Sequence, residues 1–130
     1  MTATFTIEGS AIRDIQSFYD EINRLFMANE DWELGPSLDA LSDLLYGGIG
    51  ALEAGKPVRI IWRDLEKSRL ALGVEATRAH LHRKLLQPQT YDARRMAKEL
   101  AALDDGSGPT YFDTIIEIFG QHPHIELVAA

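Results

Sequence analysis

The sequence of 130 residues contains no cysteine. This absence excludes disulfide scaffolds, thiolate zinc sites, iron–sulfur clusters and cysteine nucleophiles. Long apolar runs are also missing, and no segment approaches the roughly 20 residues that a membrane-spanning helix needs. The first residues hold neither a basic cluster nor an apolar run of signal-peptide length. We therefore expect a cytoplasmic protein that has no membrane partner.

Basic residues are scarce, with 13 Lys and Arg against 20 Asp and Glu, so the formal net charge is −7. This balance opposes nucleic-acid binding through phosphates and favours a cationic partner. The acidity is regional, because residues 1–54 contain ten acids and two bases, whereas residues 74–103 contain six bases and three acids. Charge runs are usually solvated surface, which explains the excess of acid but not its location.

Length and an apolar fraction of 45% predict a single domain, residues 1–130, with one core. Hydrophobic periodicity predicts strands at 4–7, 58–62 and 125–128. The first two helices are predicted from Asp14 as N-cap and from Ser37 to Gly47, and the third begins after Trp62 and stops at Gly73. The other three are predicted over 75–86 before Pro88, from Thr90 as N-cap to 103, and from Thr110 to Gly120. Because helices separate the strands, we expect a small α/β layer fold with parallel pairing.

Two irregular segments and two tryptophans stand out in this pattern. Residues 28–36 lack periodicity and predict an exposed acidic loop, and residues 104–109 form the one linker-like segment. Trp62 ends an apolar, β-branched strand that is the best candidate for the sheet centre, so we expect it in the core. Trp32 lies in the acidic loop, where an exposed anchor is expected.

The second predicted helix carries an acidic stripe. With Ser37 as N-cap, the residues Asp39, Ser42, Asp43 and Tyr46 share one helical face, away from the leucines. Asp39 lies in the first turn, where the helix dipole favours a carboxylate by about 0.3 to 1 kcal/mol. Asp43 lies beyond that turn and repels Asp39 by about 0.2 to 0.5 kcal/mol. This small cost is compatible with an ordinary solvated helix face, and equally with a partner that requires negative charge there.

Residues 38–45 (Leu-Asp-Ala-Leu-Ser-Asp-Leu-Leu), preceded by Trp32 and Gly35, resemble the signature of the barstar (ribonuclease inhibitor) family around its second helix. In order along the chain, residues 7–9 with 12–14, 60–63, 66–68 and 111–128 resemble the family's first strand and turn, its middle strand, the helix that follows, and its C-terminal unit. The resemblance covers residues 4–72 and 110–128. Residues 74–108 look like an inserted helical hairpin.

This resemblance implies a barstar-like fold, with a three-stranded parallel sheet packed with helices. It also implies an inhibitor, with no enzymatic activity, that plugs the cationic active site of a small basic ribonuclease of the extracellular microbial type, as an immunity protein would. In the family, acids on the second helix and the preceding loop mimic RNA phosphates. Asp39 and Asp43 fall on the matching acidic positions, and Glu117 takes the place of an acid on the last helix.

Two departures from the family pattern concern aromatic side chains. Ser42 stands where the best-known members have an aromatic residue, and Trp32 or Glu33 replaces a loop tyrosine. Because aromatic side chains often anchor interfaces, these departures imply a changed affinity for a barnase-like enzyme or a different target.

Catalytic and metal sites are poorly supported. Asp39 and Asp43 could form a glycosidase acid and base, but both are expected to be exposed, with no apolar surroundings to raise a pKa. His80 and His82 point to different helix faces. His122 and His124 flank a proline without a nearby third ligand, so a turn is favoured over a metal site. We expect no metal and no cofactor.

A competing interpretation makes the protein a non-inhibitory adaptor or a self-assembling protein. The inserted helices carry six basic residues beside an apolar stripe, a combination that could serve as an interface between copies. A hydrolytic enzyme is a third possibility and would require carboxylates with perturbed pKa values in a cleft.

Overall fold

The structure is a computed structural model that describes residues 2–87 and 89–130. Its strands and α-helices are, in chain order, β1 (Ala3–Glu8), α1 (Ile15–Phe26), α2 (Leu38–Tyr46), β2 (Val58–Arg63), α3 (Leu65–Ala71), α4 (Val74–Leu85), α5 (Ala93–Asp105), α6 (Tyr111–Gly120) and β3 (Ile125–Ala129). The predicted order of strands and helices is confirmed. None of the helices in the described residues has both the length and the apolar character needed to cross a bilayer.

The strands form one sheet in the order β1-β2-β3, with both pairs parallel. The expected α/β fold and the central position of β2 are confirmed. Side chains in β2 alternate, since Val58, Ile60 and Trp62 are buried while Arg59 and Arg63 are exposed. This alternation places the core on one face of the sheet and leaves the other face open to solvent.

Trp62 lies at the centre of the core, as predicted, and is fully buried. Its ring packs against Phe18 of α1 and against Phe112 and Phe119 of α6, with centroids 5.8 to 6.0 Å away. The indole N–H donates to the buried Ser68 hydroxyl at 2.9 Å. One side chain of the central strand thus contacts three helices.

Most predicted helix starts are confirmed, but the start of α5 is wrong. The side chains of Asp14, Ser37 and Thr110 accept backbone N–H groups at the starts of α1, α2 and α6. For α5 the N-cap is Asp92 and not Thr90, because the Asp92 carboxylate accepts the N–H groups of both Arg94 and Arg95. Pro88, expected to end the preceding helix, lies outside the described residues.

The expected linker at 104–109 is shorter than predicted. Asp104 and Asp105 belong to α5, which ends at Gly106 in the left-handed conformation with φ of 86°. Because glycine adopts this conformation without steric cost, Gly106 is well suited to end the helix.

Helices α4 and α5 form a hairpin with an apolar cluster of its own. The cluster contains Leu81, Met96, Leu100 and Leu103. Ala97, which follows Met96 on α5, is exposed and lies outside the cluster. The chain leaves the main core after Leu72 and returns at Tyr111 and Phe112. The Phe112 N–H donates to the Leu72 carbonyl at 3.0 Å.

Two consecutive buried hydrogen bonds attach the hairpin to the core. The Tyr111 N–H donates to the Thr77 hydroxyl of α4 at 2.7 Å, and the Tyr111 hydroxyl lies 2.7 Å from that of Tyr19 on α1. The ring of His80 packs edge-on against Tyr111, with centroids 5.2 Å apart. Burial and then the nearby Lys84 lower the pKa of His80 to about 4, so this imidazole is neutral near pH 7.

Glu21 connects α1 to the end of β1 by a hydrogen bond, and its ionisation makes the stability of the fold depend on pH. Its buried carboxylate accepts the Glu8 N–H and two bonds from Arg24, each at 2.7 Å. Burial acts to raise the pKa of Glu21, but these donors outweigh it, so the pKa lies below its ordinary value of 4.5. The resulting stability is present above about pH 4.5 and is lost as the pH falls through the lowered pKa.

We expect Glu21→Gln to lower the free energy of unfolding by about 1 to 3 kcal/mol at pH 7, because the bonds to a charged group are weakened in a buried site. The variant should lose less stability than wild type between pH 6 and pH 3, as measured by urea denaturation. Glu66→Gln is the matched control, since Glu66 also pairs with an arginine three residues later but its side chain is 76% exposed, against 4% for Glu21. Equal losses in both variants would contradict the assignment.

Candidate functional site

Helix α2 is short and is fixed at both ends. The Ser37 hydroxyl accepts the Ala40 N–H at 3.2 Å at its start, and the helix ends at Gly47, whose φ of 107° is rare for other residues. Leu41, Leu44 and Leu45 are fully buried. The core thus holds one side of α2, and the opposite side faces solvent.

The solvent side carries the acidic stripe, defined as Asp39, Ser42, Asp43 and Tyr46. Both aspartates are exposed, Tyr46 is 71% exposed, and Ser42 is half-buried. In residues 2–87 and 89–130, no ion pair joins Asp39 or Asp43 to a Lys, Arg or His side chain. The expected exposure of both carboxylates is confirmed, and their role in binding stays a prediction.

A side-chain clamp holds the loop that precedes α2. Asn23 of α1 donates its amide to the Leu34 carbonyl at 3.0 Å and accepts the Leu34 N–H at 2.8 Å. Beside this clamp, Trp32 is 47% exposed and Glu33 is exposed. Sequence reasoning missed the clamp, although an asparagine inside a helix, where its propensity is poor, is a signal for such a bond.

Glu117 is exposed on α6, a helix that packs against α2. The structure therefore places it on a neighbouring element and outside the acidic stripe. Its contribution to a binding surface stays a prediction.

Two histidines contact α2 from the segment between α6 and β3. His122 Nε2 lies 3.4 Å from the Ser42 hydroxyl, and His124 Nε2 donates to the Leu45 carbonyl at 2.9 Å. Burial, and to a lesser extent His124, lowers the pKa of His122. The sequence predicted only a turn here, because no local pattern relates these histidines to a helix about 80 residues earlier.

The basic hairpin borders the start of α2. Two adjoining grooves, of about 350 and 590 Å³, separate the hairpin from the main core. Lys84 lines both, together with Pro36 in the first and Leu38 in the second, the residues on either side of Ser37. The Lys84 ammonium lies over the Tyr91 ring, 5.1 Å from its centroid. The hairpin therefore borders the helix that carries the acidic stripe, and none of its described residues forms an ion pair with the stripe carboxylates.

The stripe has the chemistry of a binding surface. Its exposed carboxylates are able to accept hydrogen bonds, and those from cationic donors would be the strongest. Among the described residues, no group of three or more His, Asp or Glu side chains converges as a metal site requires.

A family model described as Barstar (barnase inhibitor) matches residues 2–98, which is more than half of the chain. The match includes Trp32, Asp39 and Asp43 and extends through α4 into α5, whereas Glu117 lies beyond it. A search of curated proteins gives no match.

Proposed function

Because the chain belongs to the Barstar (barnase inhibitor) family, we propose that it inhibits a small basic ribonuclease by inserting α2 into the enzyme's RNA-binding groove. One observation supports this most directly: Asp39 and Asp43 are exposed and without ion pairs in the described residues, on a helix whose other side is buried. A ribonuclease gathers basic side chains around the phosphate that it cleaves. Carboxylates on a rigid helix can occupy phosphate positions without being cleaved.

The aromatic contacts of this interface would come from Tyr46 and Trp32. Both rings are substantially exposed, and an aromatic ring that loses its water on binding is a frequent anchor. Ser42, half-buried against His122, would contribute a rim contact beside them. Glu33 and Glu117 would add negative charge at the periphery, which speeds association with a basic enzyme.

We propose further that the inhibitor acts in the cytoplasm as an immunity protein, protecting the cell that makes the ribonuclease. In this function the chain needs no catalytic group, metal or cofactor. The hairpin at 74–108 is proposed as an insertion in the inhibitor fold. The hydrogen bond between Leu72 and Phe112 supports this, because the chain leaves and rejoins the core at one place.

A second candidate function is self-assembly through the hairpin. The hairpin has a separate apolar cluster, six basic residues, and an exposed leucine, Leu86, after α4. In this alternative, the acidic stripe of one copy would meet the basic hairpin of another.

Sedimentation velocity distinguishes the two functions. We expect the chain alone to sediment as a monomer, and to form a complex of one inhibitor and one enzyme with some members of a panel of small basic ribonucleases. Complexes should weaken between ionic strengths of about 0.01 M and 1 M, because the screening length falls from about 30 Å to about 3 Å. Failure to bind any enzyme of the panel at low salt would contradict inhibition, and a salt-sensitive oligomer of the chain alone would favour self-assembly.

A further inference from the structure

The segment His122-Pro123-His124, termed here the histidine clip, is tied to the core through its backbone. The His122 N–H donates to the Phe119 carbonyl at 3.3 Å, at the end of α6. The His124 carbonyl accepts the Val58 N–H at 2.9 Å, at the start of the central strand β2. Backbone hydrogen bonds therefore fix both ends of the clip, from which the two imidazole rings project.

One of these rings satisfies a helix end. The last four carbonyls of an α-helix have no partner within the helix, and the Leu45 carbonyl belongs to this group in α2. His124 Nε2 lies 2.9 Å from the Leu45 oxygen. Because a carbonyl oxygen can only accept a hydrogen bond, the Nε2 atom of His124 must carry the hydrogen.

The other ring contacts α2 one turn earlier. His122 is buried, and its Nε2 lies 3.4 Å from the Ser42 hydroxyl. The two rings stand edge to face with centroids 6.0 Å apart. They contact α2 at Ser42 and Leu45, on either side of Asp43 in the sequence. The contacts thus lie in the half of the helix that presents Asp43 and Tyr46.

We infer that His122 and His124 are positioning residues that lock the C-terminal half of α2 to the central strand and so hold the acidic stripe rigid for its partner, with His124 as the stronger tie. A surface that is already ordered loses less conformational entropy on binding, which improves affinity without a new contact. The purpose of this lock rests on the proposed function. Its structural effect can be measured without any nuclease.

Amide hydrogen exchange, followed by NMR, tests the lock. In His124→Leu, which retains an apolar side chain but removes the donor, we expect the Tyr46 and Gly47 amides to exchange roughly five- to tenfold faster, as the loss of one hydrogen bond predicts. The Ile60 and Trp62 amides in β2 should keep their wild-type rates. In His124→Gln the amide nitrogen can reach the place of Nε2, so exchange should return toward the wild-type rate.

Two further variants complete the test. His82→Leu changes an exposed histidine on α4 and should leave α2 exchange unchanged. Ser42→Ala removes the contact to His122 and should accelerate α2 exchange less than His124→Leu does, because 3.4 Å is long for a hydrogen bond. Wild-type exchange of α2 in His124→Leu, or an equal acceleration of Ile60 and Tyr46, would overturn the inference.

The same variants separate this inference from the proposed function. With a ribonuclease that binds, His124→Leu should dissociate several times faster than wild type, and His124→Gln should not. The dissociation rate is the quantity to measure, because most differences in affinity among variants of one interface arise from it. Equal dissociation rates for His124→Leu and wild type would overturn the role of the lock in binding. If no ribonuclease binds, the proposed function fails, and the exchange result still decides whether the clip holds α2.

Discussion

Replacing Asp39 and Asp43 together with asparagine is expected to abolish binding of the target ribonuclease while the fold remains intact. Both side chains are exposed and form no ion pair in the described residues, so the substitution removes charge and little else. Relief of their repulsion, about 0.2 to 0.5 kcal/mol, roughly offsets the dipole stabilisation of Asp39 that is lost, about 0.3 to 1 kcal/mol. The free energy of unfolding should change by less than about 1 kcal/mol.

The effect on binding should be far larger, because each carboxylate would be desolvated against a basic group of the enzyme. Removing one partner of such a pair costs about 2 to 5 kcal/mol. Two losses of this size raise Kd on the order of a thousandfold or more. These ranges were measured on other complexes, the barnase–barstar pair of this same family among them, and are carried over to this chain.

Co-expression measures the outcome directly. Cells that produce a ribonuclease bound by the wild-type chain should survive with wild type and die with Asp39→Asn/Asp43→Asn, and titration of ribonuclease activity should give the change in Kd. The control is Asp20→Asn with Glu66→Gln, which removes the same charge from exposed positions on α1 and α3 and should still protect. Protection by the stripe variant equal to that of wild type would mean that the assigned surface is wrong.

The acidic stripe could be predicted from sequence because its geometry is local. A cap at Ser37, three inward leucines and a helical period fix which side chains of α2 share a face. The same local signals predicted the starts of α1 and α6. Local signals fail where two capping residues compete: Thr90 and Asp92 are both suitable caps, and only the second lies where a carboxylate reaches the Arg94 and Arg95 N–H groups.

Contacts between distant segments could not be predicted in this way. The clamp between Asn23 and Leu34, and the clip contact between His124 and Leu45, join residues that no periodic pattern relates. Each depends on how helices pack after they form. The sequence therefore predicted which charges α2 exposes to solvent, whereas the structure was needed to find what holds them in place.

Gly9 illustrates a tertiary requirement that composition alone does not reveal. It follows β1 and is buried where the chain passes the end of β2. A Cβ at this position would overlap the Arg63 carbonyl oxygen and lie 2.7 Å from that of Asp64. It would also lie 2.8 Å from the Ser68 hydroxyl, which accepts the indole N–H of Trp62. Two of these three neighbours are backbone atoms, which cannot rotate away.

We therefore expect Gly9→Ala to lower the free energy of unfolding by about 3 kcal/mol or more, the upper part of the range for overpacked cores. For a chain of this size, such a loss lowers Tm by roughly 10 °C. Gly120→Ala is the matched control: a Cβ there meets nothing within 4 Å, and alanine in a helix should add up to about 1 kcal/mol of stability. Urea and thermal denaturation followed by circular dichroism measure both. A Gly9→Ala protein as stable as wild type would mean that the end of β1 can move away from β2, and that the close packing at Gly9 does not fix the sheet.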